Sequence, residues 1–183
     1  MITIAHLYYD LMNLYGESGN IKALKNCLEN LGCDVTIKLL SIQDELFFDE
    51  YDFIYIGTGT EENQKLVLDH LKKYKKEITL AYEKNKIFLM TGNAFELFGK
   101  QIVYSKQEEK EGIGLFPFQT KLETFRIVDE ALMKCEFLKN PVLGFQNHAG
   151  MIESLDSPFF TVIKGTGYKP QANTEGIQQK HFY

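Results

Sequence analysis

Arginine, cysteine and proline are scarce in this 183-residue sequence, and tryptophan is absent. The three cysteines, Cys27, Cys33 and Cys135, are odd in number and lack Cys-x-x-Cys spacing. That argues against a disulfide framework or a zinc site and favours a reducing cytoplasm. Acidic residues outnumber basic ones, 25 to 20, for a formal net charge of −5, so a nucleic-acid partner has no electrostatic support. No run reaches the roughly 18 apolar residues of a membrane-spanning helix. The N-terminal Met1-Ile2-Thr3-Ile4-Ala5-His6-Leu7 has no basic n-region and reads as a first strand, not a signal peptide. Neither internal repeats nor low-complexity stretches occur. The most telling absence is local. Ile87-Phe88-Leu89-Met90 reads as a buried strand and Ala94-Phe95-Glu96-Leu97-Phe98-Gly99 as the opening of a helix. Thr91-Gly92-Asn93 between them is the sharp turn on which hydrolases and amidotransferases mount a reactive Ser or Cys. Its tip falls on Gly92, which has no side chain.

What remains is ordinary for a globular chain: 44% hydrophobic and 25% charged residues, long enough for one sizeable core. The first half alternates strands and helices. Met1 to Tyr8 reads as a strand, followed by a polar loop at Asn13 to Gly19. A helix capped by Asn20 then places Ile21, Leu24, Leu28 and Leu31 on one face. Val35, Ile37 and Leu39 alternate as an outer strand, and Phe53-Ile54-Tyr55-Ile56 is a short strand that stops at Gly57-Thr58-Gly59. A helix from about Glu61 turns Val67, Leu68, Leu71 and Tyr74 inward and Lys72-Lys73-Lys75-Lys76 to solvent. The pattern predicts an α/β fold with a mostly parallel central sheet flanked by helices. Ligands in such sheets sit at the carboxyl ends of the strands, which singles out the loops Asn13 to Gly19, Gly57 to Glu62 and Thr91 to Asn93. Past Lys106 the pattern becomes strand-rich, with strands expected at Gly112 to Phe118, Phe125 to Val128, Val142 to Phe145 and Phe160 to Lys164, and a turn at Asn173 to Gly176.

Gly57-Thr58-Gly59 follows a strand and precedes a helix. A dinucleotide loop would need a third glycine where Glu62 stands. Two readings remain: a loop whose N–H groups face a developing oxyanion, and a plain βα turn. Thr91 has a hydroxyl, but a side-chain threonine is a poor nucleophile without an activating base. Cys27, Cys33 and Cys135 read as buried small hydrophobes. In Gly144-Phe145-Gln146-Asn147-His148-Ala149-Gly150, an amide and an imidazole precede small residues, which suits either a ligand contact or a tight turn. Arg126 is the one arginine among 20 basic residues. Between Phe125 and Ile127 it could clamp an α-carboxylate or form a surface ion pair.

These motifs, taken in order, resemble the class I glutamine amidotransferases of the CobB/CobQ-like group, and within it the glutaminase subunits of lipid II isoglutaminyl synthase. The resemblance rests on Asp10-Leu11-Met12-Asn13-Leu14-Tyr15-Gly16 with Gly19-Asn20-Ile21, on Ile56-Gly57-Thr58-Gly59 with Gln64, and on Phe95 to Lys100. Glu111 to Leu115, Gly144 to Gly150, Gly165-Thr166-Gly167 and Glu175-Gly176 extend it over nearly the whole chain. It implies a flavodoxin-like, class I amidotransferase layout and no metal or cofactor. An elbow cysteine would attack the side-chain amide of glutamine, forming a thioester and releasing ammonia, with a histidine near the C-terminus as base. The ammonia would pass to a Mur-ligase-like, ATP-dependent partner subunit that amidates the D-glutamate of the peptidoglycan stem peptide.

Carried over residue by residue, the resemblance assigns Gly57, Thr58, Gly59 and Asn93 to the oxyanion hole. It links Arg126 to glutamine binding, with Asn147 and His148 as further substrate contacts. Thr58 stands where the family has a glycine, Glu62 and Met151 where it has arginines, and Glu96 where it has a glutamine. Gly92 stands at the cysteine position, so no catalytic residue is assigned. The histidine segment would begin beyond Tyr183. The expected organisation is therefore a single amidotransferase-like domain over residues 1–183 that stops short of its C-terminal catalytic segment. A non-catalytic binding or scaffold protein on the same fold is the alternative. A new enzyme built on Thr91 or His148 has no base–nucleophile pair at recognisable spacing.

Overall fold

Short apolar runs, each ended by turn residues, build the first of two compact units, Met1–Leu97 with Lys180–Phe182. The computed structural model describes residues 1–183. Strands β1 (Ile2–Leu7), β2 (Val35–Leu40), β3 (Phe53–Ile56) and β4 (Ile87–Met90) are all parallel, in the order β2-β1-β3-β4. Helix α1 (Ser18–Asn30) joins β1 to β2, and α2 (Glu61–Leu71) with α3 (Lys75–Glu83) joins β3 to β4. The two connections run in opposite directions across the sheet. Because such crossovers are right-handed, they cover opposite faces. On one face Ile4 and Tyr55 pack with Ile21, Leu24 and Leu28 of α1. Alternation sends Ala5, Leu7, Ile54, Ile56 and Phe88 to the other face, all fully buried, as are Val67, Leu68 and Leu71 of α2. The strand order reverses between β1 and β3, so the crevice at their carboxyl ends is the place for a ligand.

Several local expectations shift. Helix α1 begins at Ser18 after Glu17, so Asn20 lies in its first turn instead of capping it. Leu31 follows the helix and is exposed, and Cys27 is exposed instead of buried. The lysine-rich stretch is a 3-10 turn, Lys72–Tyr74, followed by the start of α3. Near the end of the chain, Phe182 bridges Phe88 of β4, and the Phe88 N–H donates to the His181 carbonyl at 2.9 Å. No helix is long and apolar enough to cross a membrane.

The second unit, Phe98–Gln179 with Tyr183, is the strand-rich half. It contains β5 (Gln101–Val103), β6 (Glu109–Glu111), β7 (Gln119–Lys134), β8 (Val142–Ile152), β9 (Pro158–Lys164) and β10 (Thr174–Ile177). Their order is β10-β9-β7-β5-β6, with β8 paired to β7. Only β5 and β7 run parallel. Strand β7 is far longer than Phe125 to Val128 because it serves three partners, β5, β8 and β9. The stretch 112–118 is not a strand. It runs beside 98–100, with Gly112, Gly114 and Phe116 donating to Lys100, Gly99 and Phe98. The expected turn at Asn173 to Gly176 is mostly strand β10, because Thr174 and Glu175 pair with Thr161 and Phe160.

The helix expected to open at Ala94 is a 3-10 segment, Gly92–Phe98. The reason lies at its exit. Lys100 donates to the Phe118 carbonyl at 2.8 Å, which turns the chain straight into β5. A Cβ on Gly99 would stand 2.5 Å from Phe118 Cε2 and 2.9 Å from its carbonyl oxygen. A Gly99→Ala variant should therefore lose about 1–3 kcal/mol of stability in urea unfolding, the usual cost of forcing atoms into a packed site. An unchanged midpoint would refute this account of the turn.

Candidate functional site

The three loops singled out in the sequence meet at the carboxyl end of the parallel sheet. The Leu14 N–H donates to the Thr58 carbonyl at 2.9 Å, and Asn63 Nδ2 to the Leu11 carbonyl at 2.8 Å. Beneath them lies a polar knot that sequence reasoning missed. Glu17, buried at the end of the first loop, accepts on Oε2 from the Tyr55 hydroxyl (2.5 Å), the Thr91 hydroxyl (3.0 Å) and Asn20 Nδ2 (3.1 Å). Burial and then the bond to Glu17 push the Tyr55 phenol well above its ordinary pKa. His6 on β1 is fully buried against the Tyr55 ring, 5.2 Å between centroids, and neither ring nitrogen has a hydrogen-bond partner. Burial holds its pKa below the usual value despite the nearby Glu17 carboxylate. An acidic residue flanked by glycines just before a helix, Gly16-Glu17-Ser18-Gly19, was the available signal for this knot. The Thr91–Glu17 contact is a hydroxyl–carboxylate pair, but Thr91 is one of three donors on a single oxygen. The arrangement fixes the end of β4.

At the elbow itself, Gly92 is exposed and has φ +56°, the left-handed conformation that a side-chain-bearing residue adopts only under strain. The turn is therefore formed as the sequence predicts, but its tip is bare. A Cβ built there would overlap Thr58 Oγ1 and lie 3.0 Å from Thr58 Cβ. Thr58 occupies the space into which a nucleophile's side chain would project. Its hydroxyl donates to the Thr91 carbonyl at 3.3 Å. The glycine loop is also engaged: the Gly59 N–H donates to Asn93 Oδ1 at 3.0 Å, and Asn93 Nδ2 donates to the Gly59 carbonyl at 2.9 Å. Gly57, Thr58, Gly59, Gly92 and Asn93 thus stand together as one cluster.

The second unit brings Arg126, Asn147 and His148 onto paired strands. Between β7 and β8, Leu122 matches Gly150 and Ile127 matches His148, so β7 carries extra residues in a bulge next to Arg126. Arg126 Nε donates to Asn147 Oδ1 at 3.0 Å, and its guanidinium NH2 to the Asn147 carbonyl at 3.1 Å. His148 Nδ1 donates to the Gly150 carbonyl at 2.8 Å, which leaves Nε2 as the acceptor of the neutral ring. Burial lowers the His148 pKa, the bond to Gly150 offsets part of that, and the Arg126 charge lowers it further. Glu175 on β10 accepts from Gln146 Nε2 (2.8 Å) and the Gly176 N–H (2.9 Å). Burial nevertheless raises its pKa to about 7.

Residues 3–182 match the family model of the CobB/CobQ-like glutamine amidotransferase domain. The chain belongs to this family. It is 30% identical, over all of its length and 71% of the relative's, to subunit GatD of the glutamine-hydrolysing lipid II isoglutaminyl synthase of Streptococcus pneumoniae (strain ATCC BAA-255 / R6). The same subunit from Staphylococcus aureus (strain N315) is 28% identical over 98% of this chain and 74% of the relative. A crystal structure of a glutamine amidotransferase shares the fold, with a TM-score of 0.55 at 13% identity over 86% of this chain and 79% of that one. In this chain Glu62 is exposed and pairs with Lys65 (3.0 Å), while Glu96 is buried and accepts from Gln64 Nε2 (2.8 Å). Met151 is buried on β8.

Two measurements follow from this geometry. Gly92→Cys alone should lower stability by roughly 2–4 kcal/mol, from the left-handed backbone together with the overlap on Thr58, whereas adding Thr58→Gly should recover the overlap part, about half. Equal unfolding midpoints for the single and double variants would show that Thr58 is not the obstacle. Glu175 holds its proton more tightly folded than unfolded, its ordinary pKa being 4.5. Its contribution to stability is thus complete below that value and is lost as pH rises through about 7. Glu175→Gln should therefore gain roughly 1–3 kcal/mol over the wild type near pH 8 and almost nothing near pH 4. A pH-independent difference would contradict the burial of that carboxyl.

Proposed function

We propose that this chain is a GatD-like subunit of a peptidoglycan-amidating complex whose own glutamine hydrolysis has been lost. The family and the two GatD relatives support the first part. The observation that carries the second is the bare elbow, Gly92 at φ +56° with Thr58 in the space of the missing side chain. Hydrolysis of glutamine by this family's route needs a nucleophile at that tip, and glycine has nothing to deprotonate. Loss of a nucleophile removes on the order of 10⁶-fold of rate, leaving roughly 10³–10⁴-fold from oxyanion stabilisation and binding. In this reading Gly57, Thr58, Gly59 and Asn93 descend from an oxyanion hole, and Arg126, with Asn147 and His148, is the remnant of a glutamine site. The partner is a Mur-ligase-like, ATP-dependent subunit that amidates D-glutamate of the peptidoglycan precursor. The family match across 3–182 supports residues 1–183 acting as one amidotransferase domain. Three free cysteines accord with a reducing cytoplasm.

A second reading keeps the fold and drops the complex: a binding or scaffold protein. The engagement of the Gly59 N–H by Asn93 fits both readings, since a working oxyanion loop keeps its donors open. Ammonia release from L-glutamine, with and without a Mur-ligase-like subunit, tests the loss of activity. The expected rate is background, and a turnover of about one per second would overturn it. Co-elution with that subunit on size exclusion supports the complex, and its failure leaves the scaffold reading.

A further inference from the structure

The Asn93 carboxamide does more than follow the elbow tip. It meets the backbone of Gly59 through two antiparallel hydrogen bonds, Gly59 N–H to Oδ1 at 3.0 Å and Nδ2 to the Gly59 carbonyl at 2.9 Å. A primary amide presents one donor and one acceptor on the same edge, so this is the pairing by which such a loop would grip the side-chain amide of glutamine. The asparagine is fixed from behind as well. Its own carbonyl accepts from Gln64 Nε2 at 2.7 Å, and the same nitrogen donates to buried Glu96 at 2.8 Å. Gly59 is itself buried, so its N–H would be a costly orphan without a partner.

We propose that the Asn93 side chain is a built-in occupant of the substrate carboxamide's seat, closing the site to glutamine from within. The proposal rests on reading Gly57-Thr58-Gly59 as the amide-binding loop. An incoming glutamine must break both Asn93 bonds to make its own, and the exchange yields no net hydrogen bond. A bare elbow alone would abolish chemistry and leave binding intact; the plug removes binding too.

The test is a calorimetric titration of L-glutamine into the full chain as wild type, Asn93→Gly and Asn93→Asp. Asn93→Gly should bind about tenfold or more tightly than wild type, the gain expected when one net hydrogen bond is recovered. L-norvaline, which has no amide, should show no such gain. Asn93→Asp keeps the acceptor on the Gly59 N–H but loses the donor to the Gly59 carbonyl, so it should bind glutamine with an affinity between those of the wild type and Asn93→Gly. If Asn93→Gly does not fold, Asn93→Ala serves the same arm. Wild-type binding as tight as that of the opened variant, or an opened variant that gains nothing, overturns the plug. Ammonia release by the wild type would instead overturn the silent-site reading, so the two failures are told apart.

Discussion

The carboxylate of Glu17 is the contact on which the carboxyl end of the parallel sheet depends. It sits between the loop after β1 and the start of α1, and it collects hydroxyls from Tyr55 on β3 and Thr91 at the end of β4. Three segments that are remote in sequence are therefore held by one buried oxygen. The fit is close enough to dictate a neighbour: a Cβ on Gly57 would stand 2.5 Å from Glu17 Cγ. The first residue of the glycine loop is a glycine because the acid and the Met12 carbonyl, also 2.5 Å from such a Cβ, occupy the space beside it. The positions of Thr58 and Asn93 follow, since both hang on the backbone that this packing sets. Without its partners the carboxylate would be a buried charge, which costs far more than any one of its bonds contributes.

How far the sequence could be read depended on the range of the forces involved. Parallel strands such as Ile54-Tyr55-Ile56 announce themselves because burial on both faces demands an unbroken apolar run. The three loops were legible for the same reason: they end such strands. Glu17 was not, because its importance lies in partners 38 and 74 residues away. The 3-10 character of Gly92–Phe98 was hidden likewise. Its pattern is helical, but its end is decided by Phe118, whose approach to Gly99 no local signal records. In the second half, the length of β7 came from serving three partners, a property of the sheet and not of the segment. Arg126 was found by rarity alone, and its engagement with Asn147 depends on a bulge that periodicity cannot reveal.

The residues at the elbow form a set whose members require one another. A side chain on the exposed tip would need the space beside the glycine loop. Thr58 fills that space, and its β-branched side chain is stiff enough to stay there. Closing the loop in turn would orphan the Gly59 N–H, and Asn93 answers it with an oxygen. A glycine at the tip is the least costly residue for a φ of +56°, so the turn itself relaxes.

This mutual fit bears on how the site could have changed. With cysteine at the tip, a threonine at position 58 would collide with it. With glycine at the tip, Thr58 meets no such collision. Stability and catalysis pull in opposite directions at such a turn, because a reactive side chain must be held strained and its oxyanion donors left unsatisfied. Here two of those tensions are relaxed: glycine accepts the left-handed φ at the tip, and the Gly59 N–H is satisfied by Asn93. A glycine tip with Thr58 packed beside it asks for none of that strain, so the turn can serve the fold it terminates at little cost.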